Sequence, residues 1–488
     1  MKHTDTTSKG EKGPALFLSL LPLIILVGMI ASVVSVFGDD SLSGASQVAL
    51  LSASAVCVAI GLLSGHLTFR AFEQAVTDKI ASISQAIIIL LLIGALGGAW
   101  MVSGVVPTLI YYGVQILHPA WFLPATCLIC AMVSLMTGSS WTTIATIGVA
   151  LMGIGQALQF GDGWIAGAII SGAYFGDKIS PLSDTTIMAS STAGTPLFTH
   201  IRYMLRTTIP SFTLALLIYL VAGFLLGQNG DGGNVAHVRE ALDGTFHLSP
   251  WLLAVPVFTG LLIARRVPSI AVLFLAVLMA CVAALVAQRP LLQQIGGTEG
   301  SPLTTIYRGC MTMLYGNTSI DTGVPDLNSL VATRGMTGMM STIWLIICAM
   351  VFGGAMTATG MLDRIMQSIL RLARNTMSLV ACTVGTGILL NLTVSDQYLS
   401  IILTGSMYGD TYRRQGHQPQ LLSRSTEDSA TVTSVLIPWN SCGMTQSSVL
   451  GIGTLVYAPY CFFNLLSPLM SILMARWVKR EESCHCQG

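Results

Sequence analysis

The stretch GDKISPLSDTT at 176–186 sets Asp177, Lys178 and Asp184 among glycine, serine and proline, with long apolar runs on either side. Carboxylates, hydroxyls and free backbone carbonyls are hard oxygen donors, the class that small cations prefer. Ser183, Asp184 and Thr185 supply such donors, and Lys178 supplies a charge that pairs with a carboxylate and keeps it ionised when no cation is present. Asp177 and Asp184 would lie two turns apart on a helix, but Pro181 lacks an amide hydrogen and Ser-Pro disfavours regular helix. Two half-helices with GDKISPLSD as unwound backbone between them fit this segment.

Three further stretches have the same character. In SRSTEDSATVTSVLIPWNSCG at 423–443, Glu427, Asp428, Ser429, Thr431 and Asn440 lie around Pro438, and no further charge follows Asp428 as far as Ala475. In LLNLTVSDQY, Asp396 follows Asn391 and Ser395 and has no basic residue near it in sequence. A lone carboxylate at a hairpin tip suits a proton or sodium site, because burial without a counter-charge disfavours the bare anion. TGSSWTT at 137–143 offers the hydroxyls and amides of Ser139, Ser140 and Thr142. Each stretch also has a local reading: an exposed loop for 176–186, a helix N-terminal cap for Glu427 and Asp428, a turn for Asp396, and ordinary helix packing for the hydroxyls.

The surroundings decide between these. Of 488 residues 53% are hydrophobic and 9% charged, against roughly 25% charged in soluble domains. Residues 80–161 contain no Asp, Glu, Lys or Arg at all. Uncharged apolar runs of this length span bilayers, so the fold class is an all-α polytopic membrane protein. A carboxylate at that depth costs at least about 2.5 kcal/mol and marks a functional position. The net charge of +1 points to no nucleic-acid partner. Most of the eleven cysteines, such as Cys57, Cys281 and Cys382, lie in apolar runs where a thiol behaves as a small hydrophobe. Cys127-x-x-Cys130 and the tail Cys484-His-Cys486 are weak metal patterns, and the histidines fall in loops or at span ends.

Basic residues are held on the cytoplasmic side. They group as Lys2, Lys9, Lys12; Arg70, Lys79; Arg202, Arg206; Arg265, Arg266; Arg364, Arg371, Arg374; Arg413, Arg414, Arg424; and Arg476, Lys479, Arg480. Both termini are then cytoplasmic, and residues 38–46, 106–120, 228–250 and 289–334 are external connecting loops. Asp39, Asp40, Asp231, Asp243 and Asp326 read as solvated loop residues. Crossings at 15–37, 47–64 and 83–105 lead to a re-entrant hairpin with arms at 121–136 and 144–160. A broken crossing at 164–194 and an outward one at 207–227 follow. The plan repeats upside down: crossings at 251–264, 268–288 and 337–361, a hairpin with arms at 377–390 and 397–409, a broken crossing at 428–456 and a return at 457–477. The domains are therefore a tail at 1–12, a first repeat at 13–227, a connecting loop at 228–250, a second repeat at 251–478 and a tail at 479–488. Two inverted-topology repeats, each with a re-entrant hairpin and a broken transmembrane helix, are a recurring plan of secondary transporters. SGAYFGD at 171–177 echoes TGSMYGD at 404–410 but occupies a different place in this threading.

GDKISPLSDTT, TGSSWTT, SDQYLS and EDSATVTSVLIPWNSCG together resemble, in order and length, the signature stretches of the NhaC-type sodium/proton antiporters. Glycine is common in that pattern where Thr142 and Ala430 stand, and proline where Val435 stands. The resemblance implies an inner-membrane transporter of the ion-transporter superfamily, in which dimers are common, and a bacterial setting. Its ligands are Na⁺ and H⁺ as transported or coupling ions, with no other cofactor, and Na⁺ is expected at Asp184, Asp396 and Asp428. Relatives with this signature also exchange small organic acids such as malate and lactate, which is the second functional reading; Lys178 and Asn391 are the intramembrane candidates for holding an organic carboxylate. An intramembrane aspartyl protease is disfavoured, because tyrosine stands at Tyr174 where its G-x-G-D motif needs glycine, and a metalloprotease lacks its H-E-x-x-H.

Overall fold

The computed structural model describes residues 14–37, 44–227, 232–265, 267–298, 300–324, 327–328 and 331–477. Both predicted tails lie outside them, with Lys2, Lys9, Lys12, Lys479, Arg480 and Cys484-His-Cys486. So do Asp39, Asp40, Asp231, Asp326 and Arg266. Among the described residues the fold is all-helical, apart from one antiparallel bridge between Thr318 and Thr333.

Among the described residues, eight helices are long and apolar enough to cross a bilayer, including Leu16–Phe37, Ala45–Leu63, Ser84–Val102, Leu197–Leu226 and Ser269–Ala287. Their outward faces expose Ile24, Val221, Val282 and Val286. In water such faces would aggregate, and in lipid they are solvated. The backbone groups are satisfied within each helix, as the hydrocarbon demands.

The first hairpin runs out along Pro119–Thr137 and back along Ser140–Thr143, Ile144–Gly148 and Val149–Ala157, with a π-helical turn at Ile144–Gly148. The first broken helix is Asp162–Ile179 and Asp184–Ala193. Its break, residues 180–183, is shorter than the stretch expected to be unwound, so Asp177 and Lys178 sit on the last helical turn. The second hairpin is Thr376–Thr393 and Gln397–Arg414. The second broken helix runs through Pro419–Thr426, a π-helical turn at Glu427–Thr431 and a 3₁₀ turn at Ser434–Leu436, then resumes as Ser441–Leu450. Proline at 181 and 438 falls inside the two breaks, where a missing amide hydrogen costs least.

Several segments expected as loops are helical. Phe69–Ser82, Val105–Ile116, Gly232–Thr245, Arg289–Gly296 and Pro302–Tyr315 are helices of 8 to 14 residues. They are too short or too polar to register as spans, and two of them begin at or next to proline, a favoured helix start.

From Ser84 onward the halves repeat in register. Helices begin at Pro119 and Thr376 and at Asp184 and Ser441, in each case 257 positions apart. At the same spacing Ser139 and Asp396 cap the returning hairpin arms, and Ser183 and Asn440 cap the resumed helices. Left-handed backbone recurs too, at Gly138 and Ser395 and at Gly194 and Gly451. Packing is exchanged between the halves. Ala45–Leu63 lies on Met340–Ala358, and Ser269–Ala287 on Ser84–Val102. Asp184–Ala193 lies on the second hairpin, and Ser441–Leu450 on the π turn of the first. SGAYFGD and TGSMYGD fall outside this register, one on a broken helix and the other on a hairpin arm.

Each hairpin is seated on the broken helix of its own half. In the first, Gly172 and Gly176 lie one turn apart against the outgoing arm, where an added Cβ would stand 2.1 Å from the Cys127 carbonyl oxygen and 2.3 Å from that of Ala131. Small residues at this spacing let membrane helices approach to backbone contact. Cys127 and Cys130 are free, buried thiols in that contact.

Candidate ion-binding site

The first hairpin tip closes on the first break. Asp177 accepts the Ser140 amide at 3.2 Å and the Ser140 hydroxyl at 2.7 Å. Ser139 accepts from the Thr142 amide and hydroxyl, holding the turn that presents Ser140. Ser183 caps the resumed helix through the Thr186 amide and bonds the Thr185 hydroxyl at 2.9 Å.

The second tip closes on the second break in the same way. Asp396 caps its arm by accepting the Leu399 amide at 2.9 Å, and the Ser441 hydroxyl reaches its other oxygen at 3.5 Å. The Ser395 carbonyl accepts the Ser441 amide at 2.9 Å. Asn391 donates to the Ala430 carbonyl at 2.7 Å and to Thr433 at 3.0 Å, and Asn440 donates to the Asn391 carbonyl at 3.1 Å. Asn391 and Asn440 therefore join hairpin to broken helix. Ser429 turns back onto the Ser425 carbonyl at 2.7 Å and faces Gly387.

The halves meet at a buried ion pair that sequence spacing did not suggest. Lys178 pairs with Asp428, not with Asp177 or Asp184, and both side chains are fully buried. Its ammonium also donates to Ser467 at 2.8 Å and stands 5.5 Å from the Phe463 ring centroid. Asp428 further accepts from Ser467 at 3.1 Å and from Thr207 at 3.3 Å. Its second oxygen faces the Arg424 guanidinium at 3.8 Å. Arg424, grouped above with the cytoplasmic charges, is 1% exposed. Its guanidinium lies over Tyr203 and donates to the Ser471 carbonyl. A fully buried Asp428 engaged by two cations is also not an exposed helix cap.

Glu427 is fully buried beside this pair and accepts from the Thr185 hydroxyl at 3.2 Å, which joins it to the first broken helix. Its other oxygen has no hydrogen-bond partner, nor does the Thr431 hydroxyl one turn on. The charges of Lys178 and Asp177 both reach Glu427. The ring of Tyr398, the second residue after Asp396, stands within electrostatic reach of Asp177, Asp184 and Asp396. Lys79, nearly buried on Phe69–Ser82, lies within reach of Asp396, so that carboxylate has a basic neighbour after all. Asp184 is exposed at the edge of the set. Asp184 and Asp396 share the neighbourhood of Tyr398, whereas Asp428 is paired with Lys178.

Sequence reading missed Arg424, Tyr398, Lys79, Ser467 and Thr207. Tyr398 belongs to a stretch already singled out, whereas Ser467 and Thr207 carried no local signal in apolar helices. His200, read as a span-end residue, is fully buried and meets Ser423 at 2.7 Å. His417 is also buried, beside Thr376.

With this geometry in place, comparison with known proteins is informative. A family model described as the Na⁺/H⁺ antiporter family matches residues 3–195 and 172–477. The chain belongs to that family. It is 37% identical to the Na⁺/H⁺ antiporter NhaC of Alkalihalophilus pseudofirmus, over 86% of this chain and 88% of that one. It is 33% identical to the malate-2H⁺/Na⁺-lactate antiporter of Bacillus subtilis, over 95% of each chain. It is 32% identical to the arginine/ornithine antiporter ArcD of Halobacterium salinarum, over 95% of this chain and 92% of that one. Family membership and the apolar helices together make this an integral membrane protein of an antiporter family.

Proposed function

We propose that the protein exchanges cytoplasmic Na⁺ for external H⁺ at the carboxylate set where the two halves meet. Charge balance carries this reading. Among the described residues, the buried Asp177, Asp396, Glu427 and Asp428 face Lys79, Lys178 and Arg424. With all seven ionised, the set is one negative charge in excess. Uncompensated charge at membrane depth is expensive, so the set takes up monovalent cations, and protons and Na⁺ compete for the same oxygens. Opening to the cytoplasm lets Na⁺ displace protons, and opening outward reverses the exchange.

The wider arrangement follows the transporter plan of two inverted repeats, 13–227 and 251–478, with broken helices meeting near the midplane. The exchanged packing of the halves supports it. Both termini cytoplasmic, a bacterial inner membrane, a homodimer, and no cofactor beyond the ions complete the proposal.

A second reading, coupled exchange of a small organic acid, draws support from the malate and lactate relative and from the buried Arg424. It ranks second because Lys178 and Arg424 both face Asp428, which leaves neither cation free for a substrate carboxylate. Purified protein in liposomes with an internal pH-sensitive dye and an imposed pH gradient separates the two. Na⁺ alone should collapse the gradient and K⁺ should not. Silence with Na⁺, and flux only when malate or lactate is added, would establish the organic-acid reading instead.

A further inference from the structure

Glu427 and Asp428 are adjacent on one π-helical turn, yet their surroundings are opposite, and on that difference we propose a division of labour. Glu427 is the carboxyl that trades its proton for Na⁺, while Asp428 is a fixed anion that holds the halves together. This assignment rests on the antiport reading above.

Asp428 is held by cations. One oxygen takes the Lys178 ammonium and the Ser467 and Thr207 hydroxyls, and the other, which accepts no hydrogen bond, faces the Arg424 guanidinium at 3.8 Å. A cation entering there would have to displace an ammonium from a dry ion pair, and breaking such a pair leaves an uncompensated buried charge.

Glu427 makes no ion pair with either of these cations. It receives one hydroxyl, from Thr185, and its second oxygen accepts nothing although it is fully buried. A buried carboxylate with one neutral donor does not persist as a bare anion. It carries a proton or a metal ion.

Apart from Lys178 and Arg424, which both face Asp428, the elements packed on the turn supply no counter-ion among the described residues. Thr376–Thr393 contributes no charged side chain, and Phe462–Met474 contributes Asn464 and Ser467. On Gln397–Arg414, Tyr408 bonds Thr386, Asp410 pairs with Arg413 at the surface, and Arg414 is exposed. On Pro419–Thr426 the charge is Arg424, which faces Asp428, and on Asp184–Ala193 it is the exposed Asp184. Lys178 and Asp177, at the end of the first broken helix, act on Glu427 with opposite sign.

Hard oxygens are at hand instead: the two of Glu427, the Thr185 hydroxyl and the unpartnered Thr431 hydroxyl. A π turn interrupts the regular hydrogen-bond ladder, and such turns recur at functional sites. In the exchange the Glu427 O–H bond breaks, the proton leaves to the open side, and Na⁺ takes its place with charge conserved. Thr185 carries the change to the first half, because it sits on the resumed helix beyond the break.

The test compares wild-type protein with Glu427→Gln and Glu427→Asp in proteoliposomes, reading Na⁺-driven proton flux, and in detergent, reading binding of radioactive ²²Na⁺. Glu427→Gln should remain monodisperse and lose both flux and Na⁺ binding. Glu427→Asp should keep flux with weakened apparent Na⁺ affinity, and it serves as the test if the glutamine variant does not fold. An active wild type with unchanged flux in Glu427→Gln, or unchanged Na⁺ affinity in Glu427→Asp, would overturn the assignment while leaving antiport intact. A wild type with no Na⁺-driven flux would overturn the antiport reading and this assignment with it.

Discussion

The two halves build the same joint from exchanged parts. In the first, the broken helix holds the acid and the hairpin tip holds the serine: Asp177 receives Ser140 at 2.7 Å and also takes its amide at 3.2 Å. In the second, the tip holds the acid and the resumed helix holds the serine: Asp396 is reached by Ser441 at 3.5 Å. The backbone is conserved in register while the chemistry has changed sides. Asp396 corresponds to Ser139, Asn440 to Ser183, and Asp428 to Ser171. Elements in matching register thus bring two unlike sets of donors together, with a short acid–serine contact in the first half and a long one in the second. The acid of the long contact lies near both Lys79 and Tyr398.

The bond between the halves should be the most sensitive to change. Lys178→Met leaves Asp428 buried without its ammonium, a loss of about 3–5 kcal/mol. A large fall in the thermal transition, read by fluorescence-detected size exclusion in detergent, is expected. Adding Asp428→Leu to Lys178→Met should recover much of the stability, since apolar replacement of a whole buried pair is often near neutral. Failure of the double variant to recover would mean that Arg424 depends on Asp428 as much as Lys178 does.

The tips separate the halves next. At Gly138, φ is +68° and an added Cβ would lie 2.7 Å from Leu182. Left-handed backbone with a side chain costs roughly 1–2 kcal/mol before that clash is counted. Gly138→Ala should therefore be clearly destabilising. Ser395 already carries that strain at φ +60°, so Ser395→Gly should be neutral or stabilising by up to about 1 kcal/mol. Equal losses in both would undo the correspondence between the tips.

The smallest contrast lies in the serines. Ser140→Ala removes a short hydrogen bond to a carboxylate, about 1.5–3 kcal/mol. Ser441→Ala removes a contact at the limit of hydrogen bonding and should cost less than about 1 kcal/mol. A larger loss at Ser441, by the same thermal measurement, would reverse the order of the two acid–serine contacts.

The legibility of the molecule in its sequence follows the range of each interaction. Spans, hairpins and both breaks were readable, because apolar length and the prolines at 181 and 438 act locally. Five short helices were not, since Phe69–Ser82 and its counterparts lack a continuous apolar run. Many residues that meet between hairpins and breaks belong to the stretches singled out in the sequence, but their partners were not legible there. Lys178 and Asp428 are separated by 250 positions, so only the fold brings them together. Arg424 misled for a related reason: counting it with Arg413 and Arg414 detects composition, whereas its burial depends on Tyr203 and Ser471 from distant helices. Asp184 looked central because it lies next to the break, yet the helix it begins turns its side chain outward.

The most direct measurement of the central claim is proton release on Na⁺ addition. Purified protein in weakly buffered detergent with a pH-sensitive dye should acidify the solution when Na⁺ is added and not when K⁺ is added, and Glu427→Gln should give no such signal. Na⁺ that binds without releasing protons would contradict competition of the two ions for one carboxylate set.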